Sequence, residues 1–319
     1  MGMGFTWCWL LLGCAGGWAQ ARVEVRTVVS PLPGEDILRP CEYQMVLPDT
    51  AQRVKAVWAI FDRGQDYLKW FQDRQVRAFA TEHGVALMLA MQCRSKGRED
   101  MNVDPAAGVG RAMFTALDQF AESEGRPELK MAGVIAMGWS GAGSLVARLA
   151  GYRTERYLAG IAYAPGQYEP LGMNTIELPA GAIGKPQLTL ANGGDNINGT
   201  ERPYGYFRKY FDRGAQWTFV VQNRTPHCCL QNAQALILNW VDAVLGKREG
   251  LRYGYFTAVH SEVVDDWKRP VFNVRNSRTG TGRKARRGDL PAGWMPSADF
   301  EREWLGFTRR EKPIAIWKP

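Results

Sequence analysis

The chain has 319 residues and a formal net charge of +8 at pH 7; hydrophobic residues make up 45% of it and charged residues 23%. That ordinary globular balance argues against a disordered chain or a membrane bundle, and the length fills one large domain with an appended segment. Three histidines and no Cys-x-x-Cys pair give no basis for a zinc centre, so no metal is expected.

The N-terminus carries an apolar stretch from Phe5 to Leu12, then Ala19-Gln20-Ala21 ahead of Arg22. This pattern reads as a secretory signal peptide over residues 1–21, with an apolar core too short to span a bilayer. Leu11-Leu12-Gly13-Cys14 offers a second reading, a lipobox whose Cys14 carries a lipid anchor. The expected location is therefore secreted or periplasmic, with a lipoprotein as the alternative. Export leaves Cys41, Cys93, Cys228 and Cys229, an even number in a compartment that permits disulfides. Their pairing stays open. Adjacent cysteines rarely pair, so Cys228 or Cys229 is expected to bridge to a distant partner and pin the loop of His227; the alternative is four small buried apolar residues.

Strands are expected over Glu42–Leu47 and Val54–Phe61, the second a continuous apolar run of the kind buried on both faces. A helix from Tyr67 to Glu82 ends at His83-Gly84, where glycine suits a C-cap. Val85–Met91 reads as a buried strand, residues 106–123 as a helix, Met131–Met137 as a strand, and 143–153 as a helix. Tyr157–Tyr163 and residues 186–191 follow as strands, 202–213 as a helix, Trp217–Gln222 as a strand, and 231–245 as a long amphipathic helix. This alternation predicts a doubly wound, mostly parallel α/β sheet with functional residues at the carboxyl ends of its strands.

A catalytic unit is expected over 22–246. Residues 247–319 form an irregular extension with one short helix near Ala298–Leu305. Within it Arg275, Arg278, Arg283, Lys284, Arg286 and Arg287 cluster without aromatic or helical organisation, which favours a solvated loop over a nucleic-acid surface.

The apolar run from Met131 ends in Met137-Gly138-Trp139-Ser140-Gly141-Ala142-Gly143, a strand, a sharp turn and a helix start. Small neighbours let strand and helix approach closely around Ser140, a candidate nucleophile. Ala142 stands where a G-x-S-x-G pattern has its second glycine, and Gly143 comes one residue later. Asn192-Gly193-Gly194-Asp195 follows one strand and Asn223-Arg224-Thr225-Pro226-His227 the next, giving a candidate acid and a candidate base. A serine hydroxyl needs an imidazole to take its proton, and the imidazole needs a carboxylate to fix its tautomer.

In this order of Ser140, Asp195 and His227, the chain from about Glu42 to Leu245 resembles an α/β-hydrolase. Among such proteins it is similar to the polyhydroxybutyrate depolymerase, feruloyl esterase and acetyl xylan esterase type. The resemblance implies a nucleophile after the fifth strand, an acid after the seventh and a histidine after the eighth. It implies an oxyanion hole from the Gly141 N–H and a second donor near Arg63, where related esterases carry His-Gly and this chain has Phe61-Asp62. Glu169 is the competing acid. Trp139 and Tyr168 are candidate substrate-binding residues, with Tyr67, Tyr204, Tyr206 and Trp294 as further aromatic platforms; His83 reads as structural and His260 as a surface residue. Asn198-Gly199-Thr200 and Asn223-Arg224-Thr225 match the glycosylation sequon. The implied activity is that of a secreted serine hydrolase acting on a small or polymeric carboxylic ester through an acyl-enzyme, with no cofactor, no nucleic acid and no membrane span. A serine peptidase and a catalytically silent binding domain are the alternatives.

Overall fold

Ala-Val-Trp-Ala-Ile-Phe, residues 56–61, is buried along its whole length, as a strand covered by helices on both faces must be. It lies in the middle of the sheet of a computed structural model that describes residues 24–49, 52–61, 65–97, 104–166, 177–246, 252–260 and 269–310. The strands are β1 (Glu24–Val29), β2 (Cys41–Val46), β3 (Ala56–Phe61), β4 (Val85–Met91), β5 (Gly133–Trp139), β6 (Tyr157–Tyr163), β7 (Gln187–Asn192), β8 (Trp217–Gln222), β9 (Arg252–His260), β10 (Phe272–Gly280) and β11 (Leu290–Met295). The helices are α1 (Gln65–Gln72), α2 (Arg74–Glu82), α3 (Val109–Ser123), α4 (Gly141–Tyr152), α5 (Ala180–Ile183), α6 (Glu201–Phe211), α7 (Gln234–Leu245) and α8 (Ala298–Thr308).

Among the described residues, all strands join one 11-stranded sheet in the order β1-β2-β4-β3-β5-β6-β7-β8-β11-β9-β10. From β4 to β8 neighbours run parallel. At one edge β2 and β1 are antiparallel, and at the other β11, β9 and β10 are. The parallel block sends the carboxyl ends of β5, β7 and β8 to the same edge of the sheet, which is where a doubly wound fold builds its sites.

Three differences from the sequence reading have physical causes. The helix expected over Tyr67–Glu82 is two helices, because Asp73 Oδ1 accepts the N–H groups of Gln75 and Val76 at 2.8 and 3.0 Å and starts α2. Strand β1 escapes a hydrophobicity reading, since its residues are exposed or half-buried except for Val29. The segment past Gly246, expected to be irregular, supplies β9, β10 and β11, which continue the sheet from β8, together with α8.

That extension is well packed. Trp294 and Trp304 are fully buried, so Trp294 is a core residue and not a binding platform. Ser297 caps α8 by accepting the Phe300 N–H at 3.1 Å. The basic cluster is not uniformly solvated either. Arg278 pairs with Asp289 at 2.7 Å and lies 4.4 Å over the Tyr255 ring. Arg283 donates to the carbonyls of Phe211, Gly214 and Ala215. Lys284, Arg286 and Arg287 stay exposed.

Cysteine pairing also departs from expectation. Cys41 opens β2 and Cys93 follows β4, its antiparallel partner, so their Cα atoms lie 4.7 Å apart and they form a disulfide. That leaves Cys228 and Cys229 bonded to each other, although adjacent pairs are rare. A turned backbone, with Cys229 at φ +78°, accompanies the closure. No helix among the described residues is long and apolar enough to cross a membrane.

Candidate active site

Three loops meet at the carboxyl edge of the parallel strands. Ser140 follows β5 directly at φ +54° and ψ −120°, a strained conformation for a residue with a side chain. Its backbone is pinned on both sides: its N–H donates to Tyr163 O at 3.0 Å, and its carbonyl accepts from Gly143 and Gly166 at 3.0 and 3.1 Å. The turn needs a glycine at 138, where a Cβ would sit 2.4 Å from the Ala142 carbonyl oxygen. Gly141 opens α4, where the first N–H groups have no acceptor within the helix.

Asp195 lies in the tight turn after β7 and is fully buried. One carboxylate oxygen, Oδ1, accepts the N–H groups of Ile197 and Asn198, each at 3.0 Å; the other, Oδ2, lies 2.6 Å from His227 Nδ1. A buried carboxylate is tolerated only when its oxygens are so occupied, and here two backbone donors and an imidazole occupy them.

His227, 12% exposed, is held from several directions. Its flanking carbonyls are anchored to the strands below, because Asn192 Nδ2 donates to Pro226 O at 2.8 Å and to Cys228 O at 3.0 Å. The Tyr163 hydroxyl also donates to Cys228 O. Trp139 lies against the imidazole face with ring centroids 4.6 Å apart. The structure thus brings Asp195, His227 and Trp139 into contact, with Ser140 next in the chain to Trp139.

Asn198 escaped the sequence reading as a site residue. Its Nδ2 donates to Ala164 O at 2.7 Å and to Ser140 Oγ at 3.4 Å, so one residue touches both the serine and, through its backbone N–H, the aspartate. The only sequence signal was its place three residues after Asp195, inside a glycosylation sequon. The other sequon residue, Asn223, is buried and donates to Val274 O and Thr308 O.

Other expected residues lie elsewhere. Arg63, Tyr168 and the competing acid Glu169 are outside the described residues. Tyr67 and Tyr206 are buried in the core. Tyr204 packs among Phe207, Phe219, Phe256 and Phe272 and donates to Pro291 O; burial pushes its hydroxyl up to about 12. His83 stacks on Phe79 near Asp242, and His260 pairs with Glu201 at the surface. Among the described residues, no group of three His, Cys, Asp or Glu side chains could hold a metal ion.

No family model and no curated protein matches the chain. Solved structures do. A dipeptidyl aminopeptidase IV-like protein from Bacteroides ovatus superposes over 70% of this chain and 35% of its own, at 11% identity and a TM-score of 0.52. The acylaminoacyl peptidase of Pyrococcus horikoshii does so over 72% of this chain and 43% of its own, also at 11% identity and a TM-score of 0.52. A fluorophosphonate-binding serine hydrolase of Staphylococcus aureus matches over 71% of this chain and 99% of its own, at 11% identity and a TM-score of 0.47. The chain has the α/β-hydrolase fold.

Proposed function

We propose that the protein is an exported serine hydrolase that cleaves carboxylic esters. One observation carries the reading: the 2.6 Å contact between His227 Nδ1 and the fully buried Asp195 carboxylate, at the same sheet edge as a serine held at φ +54°. Such a contact fixes the imidazole tautomer so that Nε2 is left as a proton acceptor.

In this mechanism Ser140 Oγ attacks the ester carbonyl carbon as its proton passes to His227 Nε2. The tetrahedral oxyanion is stabilised by the Gly141 N–H at the start of α4, and Arg63 is the proposed second donor. Removing one such donor costs about a hundredfold to a thousandfold in rate. Collapse expels the alcohol, which takes the proton from His227, and water then hydrolyses the acyl-enzyme by the same route in reverse roles. The reading needs no metal or organic cofactor.

Export fits the apolar leader and the two disulfides, Cys41–Cys93 and Cys228–Cys229, which persist in an oxidising compartment. A lipid anchor at Cys14 is the alternative mode of export. The substrate side has a competitor, because two of the solved structures that match at a TM-score of 0.52 are of proteins named as peptidases. This chain spans 35% and 43% of the length of those two proteins.

Purified protein is expected to release p-nitrophenol from short-chain p-nitrophenyl esters. A fluorophosphonate probe should label Ser140 stoichiometrically, with both signals absent in Ser140→Ala. Labelling without ester turnover, together with cleavage of peptide amides, would replace the esterase with a peptidase. Failure to label would leave only a binding domain.

A further inference from the structure

We propose that Asn273, on β10 of the C-terminal extension, is a positioning residue that holds the Asp195 loop and the His227 loop in register. The kinetic part of this inference rests on the hydrolase reading above.

The two loops follow neighbouring parallel strands and meet through backbone bonds, the Asn192 side chain and the Asp195–His227 contact. Gly193 N–H donates to Gln222 O at 2.9 Å, and Gly194 N–H donates to Thr225 O at 2.8 Å. The Asn273 carboxamide adds one planar group that spans both. Its Oδ1 accepts the Arg224 N–H at 2.8 Å, and its Nδ2 donates to Gly193 O at 3.0 Å. Gly193 lies two residues before Asp195 and Arg224 three before His227, so this one side chain bridges the loop of the acid to the loop of the base.

Two further features show that the contact is built in. Arg224 sits at φ +52°, a left-handed conformation disfavoured for a side-chain-bearing residue, and its N–H is the one Asn273 binds. At Gly193 a Cβ would come within 2.1 Å of Asn273 Oδ1, so only glycine admits the carboxamide.

Neighbouring residues of the same segment grip the loops from either side. On the acid side, Arg269 N–H donates to Asn196 O at 3.0 Å, Thr200 N–H donates to Pro270 O at 3.0 Å, and Thr200 Oγ1 accepts the Phe272 N–H at 2.6 Å. On the base side, the Asn223 side chain accepts the Val274 N–H at 2.8 Å and donates to Val274 O at 2.9 Å. Residues 269–274 therefore belong to the frame of the site. Misplacing a reacting group by about an ångström costs on the order of a hundredfold in rate, and the 2.6 Å contact between Asp195 and His227 leaves little slack.

The test compares wild type, Asn273→Ala and Met295→Ala; the last makes a cavity on β11 of the same extension, where Met295 is buried, and leaves the carboxamide in place. Turnover of p-nitrophenyl esters gives kcat and KM. The low-field proton resonance of the His227 Nδ1–H reports the Asp195 contact whether or not the protein hydrolyses anything. In Asn273→Ala, kcat is expected to fall about tenfold to a hundredfold with KM within about twofold, and the low-field signal to be lost to exchange. Met295→Ala should keep both readouts even where its melting temperature falls as far. Retention of kcat and signal in Asn273→Ala, or equal losses in both variants at equal melting temperature, would overturn the inference. If Asn273→Ala does not fold, Asn273→Asp takes its place, keeping the acceptor for Arg224 and losing the donor to Gly193. An unlabelled, inert wild type overturns the hydrolase reading, and the proton signal alone then decides for or against Asn273.

Discussion

Trp139 and His227 lie ring against ring, with centroids 4.6 Å apart and planes inclined by 32°. The imidazole is thus fixed along its edge by Asp195 and across its face by an indole that belongs to the residue before Ser140. The serine turn and the histidine loop are coupled by this contact, although they come from different strands. An aromatic pair of this kind contributes about 0.5–1.5 kcal/mol beyond the area it buries. Trp139→Ala is expected to lower kcat for p-nitrophenyl esters by about tenfold, the equivalent of about 1.4 kcal/mol, while Trp139→Phe keeps most of it. Equal rates in Trp139→Ala and wild type would mean that the indole only fills space.

The sequence made this region legible because each part has a local signal. An apolar run buried on both faces marks β5, and glycines mark the tight turns that carry Ser140 and Asp195. Asn273 and Asn198 have no such signal. An asparagine in a polar edge strand looks the same whether or not its carboxamide bridges two loops, and the partners here are backbone groups 49 and 80 residues away. The extension was misread for a related reason. Strand β10 alternates few apolar residues and β11 contains Pro291 and Gly293, so neither shows the run that marked β3 or β5. The adjacent disulfide was unreadable because pairing depends on which cysteines the sheet register brings together.

The two disulfides should separate stability from activity. Cys41–Cys93 closes a separation of 52 residues, and the chain-entropy model assigns such a loop up to about 4 kcal/mol. Cys228–Cys229 closes no loop, so its entropic share is negligible. Its influence is local: it lies immediately after His227, holds Cys229 at φ +78°, and its Cys228 carbonyl is the acceptor for Tyr163 and Asn192. A Cys41→Ser/Cys93→Ser variant should therefore unfold at much lower urea concentration. A Cys228→Ser/Cys229→Ser variant should keep the urea midpoint and label with fluorophosphonate about tenfold more slowly. The opposite assignment of losses would refute this division.

Acid should weaken the contact between the loop before β2 and α3. Glu35 makes a two-point contact with Arg111, at 2.6 and 2.7 Å, and this hydrogen-bonded guanidinium holds the carboxyl below the usual carboxylate range. The folded state therefore releases this proton more readily than the unfolded chain. The stabilisation is fully present above the unfolded carboxylate value of about 4.3 and is lost as pH falls through the lower folded value. Wild type should be more stable than Glu35→Gln at neutral pH, with the gap closing below about pH 4.3. A gap that stays constant from neutral to acid pH in melting experiments would show that the pair contributes through packing alone.

Arg283 belongs to the cluster that composition alone assigns to solvent, yet it closes the carboxyl end of α6. Its guanidinium donates to Phe211 O at 3.0 Å, Gly214 O at 2.9 Å and Ala215 O at 3.2 Å, and Nε donates to the Tyr253 hydroxyl at 3.0 Å. The same group lies 4.9 Å over the Phe211 ring and 5.0 Å over Tyr253. A cation there adds a second donor to Phe211 O, which also accepts the Gly214 N–H at 3.0 Å, and opposes the negative end of the helix dipole. It also ties the extension to the parallel block at a point remote from Asn273. Arg283→Ala is expected to cost about 2 kcal/mol, read as a lower urea midpoint at unchanged slope. Arg283→Lys should recover little of it, since an ammonium cannot reach three carbonyls and stack on two rings at once. The neighbouring exposed Lys284→Ala and Arg286→Ala should leave the midpoint where it is, and an equal effect from those two would return Arg283 to the solvated loop.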